Sequence, residues 1–225
     1  MAAAAEVAEH AAREAGGLLL RLRGTRAAQG RPKGGHELVT DADLRADELI
    51  RRIVTDRFPT HRVVSEETWD GWRDDPFDGP VWVVDPMDGS ANYVHGYSYV
   101  SVSVAFAIDG VVRAGTVHAP FLRRTFTAVR GGGARCDGRP LRAADTGALG
   151  DALVSTGFPH EGGGLDAVME RVRRLVVNCR DVRRRLPRPG HLPRTARPAV
   201  SAPTPRGCSS TAATVWRSPA ATRAN

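Results

Sequence analysis

The chain has 225 residues, 41% of them hydrophobic, enough for one substantial core or two modest ones. Its formal charge of +7 is concentrated at one end: Arg183 to Asn225 holds nine arginines and no acidic residue, while residues 1–182 hold 23 basic and 25 acidic side chains, a net of −2. That near-neutral body argues against a nucleic-acid-binding domain, Leu18-Leu19-Leu20 is far too short an apolar run to span a bilayer, and Cys136, Cys179 and Cys208, with no CxxC pair, exclude a disulfide framework or a zinc site.

The N-terminal MAAAAEVAEH lacks a basic segment and carries Glu6 and Glu9, so no signal peptide and a cytoplasmic location are expected. Ala3 to Arg23 is alanine-rich, with apolar positions at Val7, Ala11, Leu18 and Leu22, and predicts a first helix. GRPKGGHE follows and reads as a loop. Thr40 is placed to cap a second helix from about Asp41 to Arg57, with Leu44, Ile50, Ile53 and Val54 on its inner face and Asp41 and Asp43 in its electropositive first turn. Brief strands are predicted at Arg62 to Ser65 and Val81 to Val84. A hairpin pairs Tyr99 to Ile108 with Val111 to Val117 through an Asp109-Gly110 turn. Thr125 to Val129 and Ala152 to Thr156 suggest further strands, and Leu165 to Val177 a helix with Val168, Val172, Leu175 and Val176 inward. Helices, then an antiparallel meander, then an α/β stretch, with no internal repeat, predict an α+β layered architecture.

Three acidic clusters punctuate these elements: Asp41 and Asp43 in LVTDADL, Glu66 and Glu67 in SEE, and Asp85 and Asp88 in DPMDG. Each alone reads as a cap, a solvated pair or a turn. Together they say more, because strand ends that emit carboxylates, followed at once by Gly89-Ser90 and a helix start, supply hard oxygen ligands for Mg²⁺ beside N–H groups and a hydroxyl suited to phosphate. Pro86 fixes a turn that aims Asp85 and Asp88 into one pocket with the Met87 carbonyl between them. Divalent ions held there suit phosphomonoester hydrolysis.

Lys33 with LVTDAD, SEE, WVVDPMDGSANYVHGYSYVSVSVAF and GVVRAGTVHAP together resemble the inositol monophosphatase family of Mg²⁺-dependent, lithium-sensitive phosphatases, over about residues 5 to 180. The resemblance implies a layered αβαβα sandwich, a homodimer and a small phosphorylated polyol as substrate; the short apolar runs and near-neutral body add that no membrane partner is expected and a nucleic-acid partner is disfavoured. It implies that Glu66, Asp85 and the Met87 carbonyl hold one metal, and that Asp85 and Asp88 hold a second. Gly89 and Ser90 would offer N–H groups to the phosphate, and Ser90 with Glu66 would orient the attacking water. Asp43 would hold Ser90 in place or raise its basicity, and Lys33, the only lysine in the chain, would stand near the site. Ser90 stands where the family usually has threonine, and the hydroxyl survives. The continuation Asn92 to Gly96 favours inositol-1-phosphate over histidinol phosphate or a sugar bisphosphate, and His95 reads as a loop residue beside the site rather than a base.

The resemblance stops near Arg180 to Arg184. The family's Trp-Asp-x-Ala-Ala-Gly motif, whose aspartate completes the second metal site, has no counterpart: Trp216 is followed by Arg217, and no side-chain carboxylate follows Asp181. Three segments are therefore expected: a metal-binding α+β domain over 1–145, the start of an incomplete C-terminal α/β domain over 146–182, and a basic Pro/Arg-rich tail over 183–225. The tail holds seven of the fifteen prolines, cannot build a packed core, and reads as out-of-frame translation of a GC-rich gene or as a disordered extension. Impaired turnover and exposed apolar surface between Ala152 and Val177 are expected. The reading from another class is a non-catalytic metal-binding protein or one that interacts through its basic tail.

Overall fold

The computed structural model describes residues 1–34, 37–68, 78–143, 148–156 and 165–184. Of the expected tail only Arg183 and Arg184 are among them; residues 185–225, with Trp216, lie outside. Helix α1 (Ala2–Leu22) leads to a hairpin, β1 (Arg31–Gly34) and β2 (Glu37–Val39), then helix α2 (Asp41–Arg57) and strand β3 (Arg62–Ser65). Strand β4 (Pro80–Asp88) runs into the five-residue helix α3 (Ser90–Val94). A meander follows: β5 (Ser101–Ile108), β6 (Val111–Ala119), β7 (Arg124–Val129), β8 (Gly133–Cys136) and β9 (Arg139–Leu141). Strand β10 (Leu153–Thr156), helix α4 (Leu165–Asn178) and β11 (Asp181–Arg184) complete the described elements. The mixed α+β class expected from the sequence is the one observed. No described helix is long and apolar enough to cross a membrane.

The chain forms two compact units, the first spanning Met1–Leu141. Its seven strands lie in the order β3-β4-β5-β6-β7-β8-β9, with β3 parallel to β4 and every other pair antiparallel. Period-two alternation sorts β4 and β5 between two faces. Trp82, Val84, Val102, Val104 and Phe106 join the helices in the main core, while Val81, Val83, Ala105 and Ala107 form a smaller cluster of their own. Around Trp82, the rings of Phe58, His61 and Phe106 stack or tilt at centroid distances of 4.7 to 6.5 Å. The Trp82 indole N–H donates to His61 Nδ1 at 3.1 Å, which satisfies a donor in the middle of an apolar cluster.

Helix α1 buries a different stripe from the one its larger side chains suggest. Ala4, Ala8, Ala11, Ala12, Ala15, Gly16 and Leu19 face inward, whereas Val7 and Leu22 are partly covered and Leu18 is half-buried. Small side chains let the helix axis come close to the sheet, and that contact outweighs the burial of one larger residue. Gly16 marks the tightest approach: a Cβ there would meet His118 Cδ2 at 2.4 Å, and the His118 ring is tethered through Nδ1 to Thr125 Oγ1 at 2.9 Å. Gly16→Ala is expected to lower stability by about 1–2 kcal/mol, overpacking outweighing the gain of about 1 kcal/mol in helix propensity. Gly17→Ala, whose Cβ meets only Arg21 Nη1 at 3.4 Å, is expected to be neutral or stabilising; thermal melts of the pair check the contrast.

Helix α2 begins at Thr40, as the sequence predicts. Its buried residues are Ala42, Asp43, Ala46, Asp47, Ile50 and Val54, while Leu44 is 44% exposed. The predicted inner face is therefore corrected at Leu44, because two carboxylates at i and i+4 occupy the inward stripe and have polar partners there.

Strand β4 continues through Asp85-Pro86-Met87-Asp88 instead of ending in a proline turn at Val84. Asp85 pairs with Ser103 and Asp88 with Ser101, with an irregularity between them. Pro86 has no N–H to give the ladder, and the extra residue is absorbed as a bulge, which re-aims the side chains around it. The reversal itself comes later, at Gly89.

Five further strands were not legible in the sequence: β1 and β2, a hairpin in and beside the stretch read as a loop, and β8, β9 and β11. In the second unit β10 and β11 are parallel, and α4 lies between them in sequence. Val168, Val172 and Leu175 of α4 are half-buried, but Val176 is 59% exposed, a correction to its predicted inward position. Cys179 continues the 168, 172, 175 spacing and takes the inward place.

Candidate active site

The site begins at the cap of α2. The Thr40 side chain accepts from the N–H groups of Ala42 and Asp43, and Asp43 Oδ2 accepts in return from the Thr40 N–H at 2.8 Å and its hydroxyl at 2.6 Å. This reciprocal box locks the Asp43 carboxylate, which is fully buried. Its other oxygen, Oδ1, lies 2.7 Å from Ser90 Oγ. Burial pushes the Asp43 carboxyl above its ordinary value, against the hydrogen bonds from Thr40 and Ser90 that favour the charged form.

Ser90 opens α3. Its hydroxyl also lies 3.1 Å from the Met87 carbonyl, so its single proton is shared between that oxygen and Asp43 while its lone pairs stay open. Gly89 precedes it with φ +98°, and a Cβ there would stand 2.8 Å from the Tyr99 carbonyl oxygen. The Asn92 amide donates to the same carbonyl at 2.8 Å, which closes the loop back on α3. His95 ends α3 in an exposed position, consistent with a loop residue.

Asp85 and Asp88 project from the end of β4 and are 7% and 8% exposed. Parallel pairing of Ser65 with Val84 brings the next residues, Glu66 and Asp85, to neighbouring positions at the ends of β3 and β4. Glu66 opens the 3-10 turn Glu66–Thr68 and is half-buried. Burial first, and then the negative charges of Asp88, Glu66, Asp43 and Glu67, hold the Asp85 carboxyl well above the usual carboxylate range. Asp85 Oδ1 is buried without a hydrogen-bond partner.

An oxygen-rich, negatively charged strand end with an orphaned carboxylate oxygen fits a hard divalent cation. Among the described residues no three His, Cys, Asp or Glu side chains close around one point, so a bound ion would draw also on the Met87 carbonyl and on water. The fold thus brings Asp43, Met87, Gly89 and Ser90 into one constellation, with Asp85, Asp88 and Glu66 beside it. Lys33 lies on β1, and its side chain is outside the described residues. What the sequence did not disclose is the clamp of Gly89 and Asn92 on Tyr99. Its only local signal was a glycine and an amide three residues apart.

The family model of the inositol monophosphatases matches residues 1–184. The chain belongs to the inositol monophosphatase family. It is 32% identical over 154 residues to inositol monophosphatase 1 of Solanum lycopersicum, an alignment covering 67% of this chain and 56% of that protein. It is 33% identical over 184 residues to the Nus factor SuhB of Pseudomonas aeruginosa, covering 79% of this chain and 67% of the relative. Among solved structures, the extragenic suppressor protein suhB of Bartonella henselae superposes with a TM-score of 0.73 at 30% identity, covering 81% of this chain and 69% of that one. The chain spans little more than half the length of the tomato inositol monophosphatase. The family match ends at residue 184, close to where the motif resemblance ceases.

Proposed function

We propose that this protein is a Mg²⁺-dependent phosphomonoesterase of the inositol-1-phosphate type, slowed by the lack of one metal-holding carboxylate. The observation that carries the reading is the Ser90 hydroxyl, held 2.7 Å from Asp43 and 3.1 Å from the Met87 carbonyl at the end of the strand that bears the orphaned Asp85 oxygen. A hydroxyl whose proton is engaged by a buried carboxylate presents its lone pairs as an acceptor for water. Asp43 cannot swing away, because Thr40 occupies its second oxygen twice.

On this reading Glu66, Asp85 and the Met87 carbonyl hold one Mg²⁺, and Asp85 with Asp88 hold another. When bound, the ions supply charge stabilisation to the phosphate and acidify the attacking water. Ser90 and Glu66 orient that water, and the N–H groups of Gly89 and Ser90, at the start of α3, are available to a phosphate oxygen. Lys33, on β1, is assigned to the neighbourhood of the site by the family resemblance. With no side-chain carboxylate after Asp181, the second ion is held by fewer ligands and turnover is slow. The same reading divides the chain into a metal-holding domain over 1–145, the start of an α/β domain over 146–182 and a basic tail over 183–225, and makes it a cytoplasmic homodimer.

The test is phosphate release by the full chain with Mg²⁺, from inositol-1-phosphate, histidinol phosphate and fructose bisphosphate in parallel. Slow release that is fastest from inositol-1-phosphate, and about 100-fold or more lower in Ser90→Ala, is the expected result. Faster release from either other substrate would move the assignment within the superfamily. No release from any of them, with the ion bound, would favour the non-catalytic metal-binding reading.

A further inference from the structure

Helix α2 presents three polar residues at successive turns on one stripe: Asp43, Asp47 and Arg51. Asp43 reaches Ser90 and so fixes one side of the candidate site. The other two have no role in the constellation described above, yet they are built as carefully. The Asp47 side chain is 7% exposed, and its Oδ2 accepts from Arg51 Nε at 2.7 Å. The same guanidinium donates through Nη1 to the Val63 carbonyl of β3 at 3.4 Å, and through Nη2 to the Thr68 hydroxyl at the end of the turn that carries Glu66.

One planar fork therefore ties three elements together: α2, β3 and the Glu66–Thr68 turn. A lysine could not do this, because its single nitrogen cannot reach three acceptors spread across the plane of a guanidinium. Within the turn, the Glu67 N–H reaches Ser65 Oγ at 3.4 Å. Helix α2 spans the site from the Ser90 side to the Glu66 side, and Arg51 is its grip on the second side.

We propose that Arg51, held by Asp47, is a positioning residue that sets the Glu66 carboxylate against Asp85 and thereby the affinity of the site for a divalent ion; this rests on the metal-holding reading above. Outer contacts of this kind act by fixing a ligand's orientation, and their loss costs about 10- to 100-fold in ion affinity. A merely structural Arg51 would change melting temperature and leave ion affinity untouched.

The experiment measures Mn²⁺ affinity of the full chain from the free-ion electron paramagnetic resonance signal, alongside ion-free melting temperatures. The variants are Arg51→Gln, Arg51→Lys, Thr68→Val and Asp85→Asn. Arg51→Gln is expected to weaken Mn²⁺ binding about 10-fold at a temperature where it is folded, with Arg51→Lys recovering part of the loss and Thr68→Val shifting affinity in the same direction. Unchanged affinity in Arg51→Gln, with binding lost in Asp85→Asn, would overturn the positioning role and leave the metal site standing. Should Arg51→Gln fail to fold, Thr68→Val decides, because Thr68 is exposed and only its hydroxyl is removed; unchanged affinity there overturns the proposal. Equal Mn²⁺ binding by the parent and Asp85→Asn would instead remove the metal-holding reading, and this inference with it.

Discussion

Asp85→Asn is expected to abolish divalent-ion binding and, in ion-free buffer at pH 8, to raise the stability of the protein by about 1–3 kcal/mol, because it removes a buried charge set among other carboxylates. The two effects have one cause. Asp85 is almost wholly buried, one of its oxygens has no hydrogen-bond partner, and four carboxylates surround it. Its pKa is raised in the folded state, so the folded chain retains a proton that the unfolded chain gives up near the ordinary carboxylate value of 3.8. Its contribution to stability is therefore whole below that value and is lost as pH rises through the raised folded one. Ion-free parent protein should melt at lower temperature at pH 8 than at pH 5, and Mg²⁺ should restore more at pH 8, where the carboxylate it neutralises is more charged than at pH 5. The asparagine variant should lose both the Asp85-linked pH dependence and the Mg²⁺ response. Its affinity should fall beyond the roughly 100-fold that loss of an outer contact brings, because a shared ligand is removed outright. Melting curves at the two pH values, with and without Mg²⁺, check this; a variant that melts like the parent throughout, or that Mg²⁺ stabilises equally, would refute it.

The residues that carry this prediction were legible in the sequence because they sit in contiguous motifs with fixed chemistry. Thr40 and Asp43 form a capping box at a spacing any helix start imposes, and the structure finds both of its reciprocal bonds. Asp85 and Asp88 were visible as a pair, but the device that aims them was misread. A Pro-x-Asp-Gly string signals a turn, yet β5 offers hydrogen-bonding partners out to Ser101, and strand pairing wins over local turn chemistry as far as Asp88. The inner face of α1 was hidden for a related reason. Side-chain size ranks Leu18 above Ala15, whereas the geometry of a helix lying close on a sheet favours the smaller residue. Arg51 and Thr68 are 17 positions apart in sequence, so nothing in either segment could announce their contact.

Gly89→Ala is the second large effect, and it separates two ways in which a glycine can be required. At φ +98° the backbone is in a region that costs an L-residue about 1–2 kcal/mol. The new Cβ would also stand 2.8 Å from the Tyr99 carbonyl oxygen, a backbone atom that Asn92 holds in place at 2.8 Å. Overpacking against an immovable neighbour adds about 1–3 kcal/mol, so the expected loss is about 2–5 kcal/mol, readable as a shift of roughly 5–15 °C in melting temperature. Any relief must move Ser90, the next residue, away from Asp43, and a displacement near 1 Å costs about 100-fold in a catalytic geometry. Phosphate release should therefore fall further than stability does. Asn92→Ala tests the immovable-neighbour argument, since it removes the Asn92 amide that holds the Tyr99 carbonyl. If the clash with that oxygen dominates, Gly89→Ala should cost at least about 0.5 kcal/mol less in the Asn92→Ala background than alone. Additive losses in the double variant would assign the whole effect to backbone conformation, because the strain of a positive φ does not depend on what Asn92 holds.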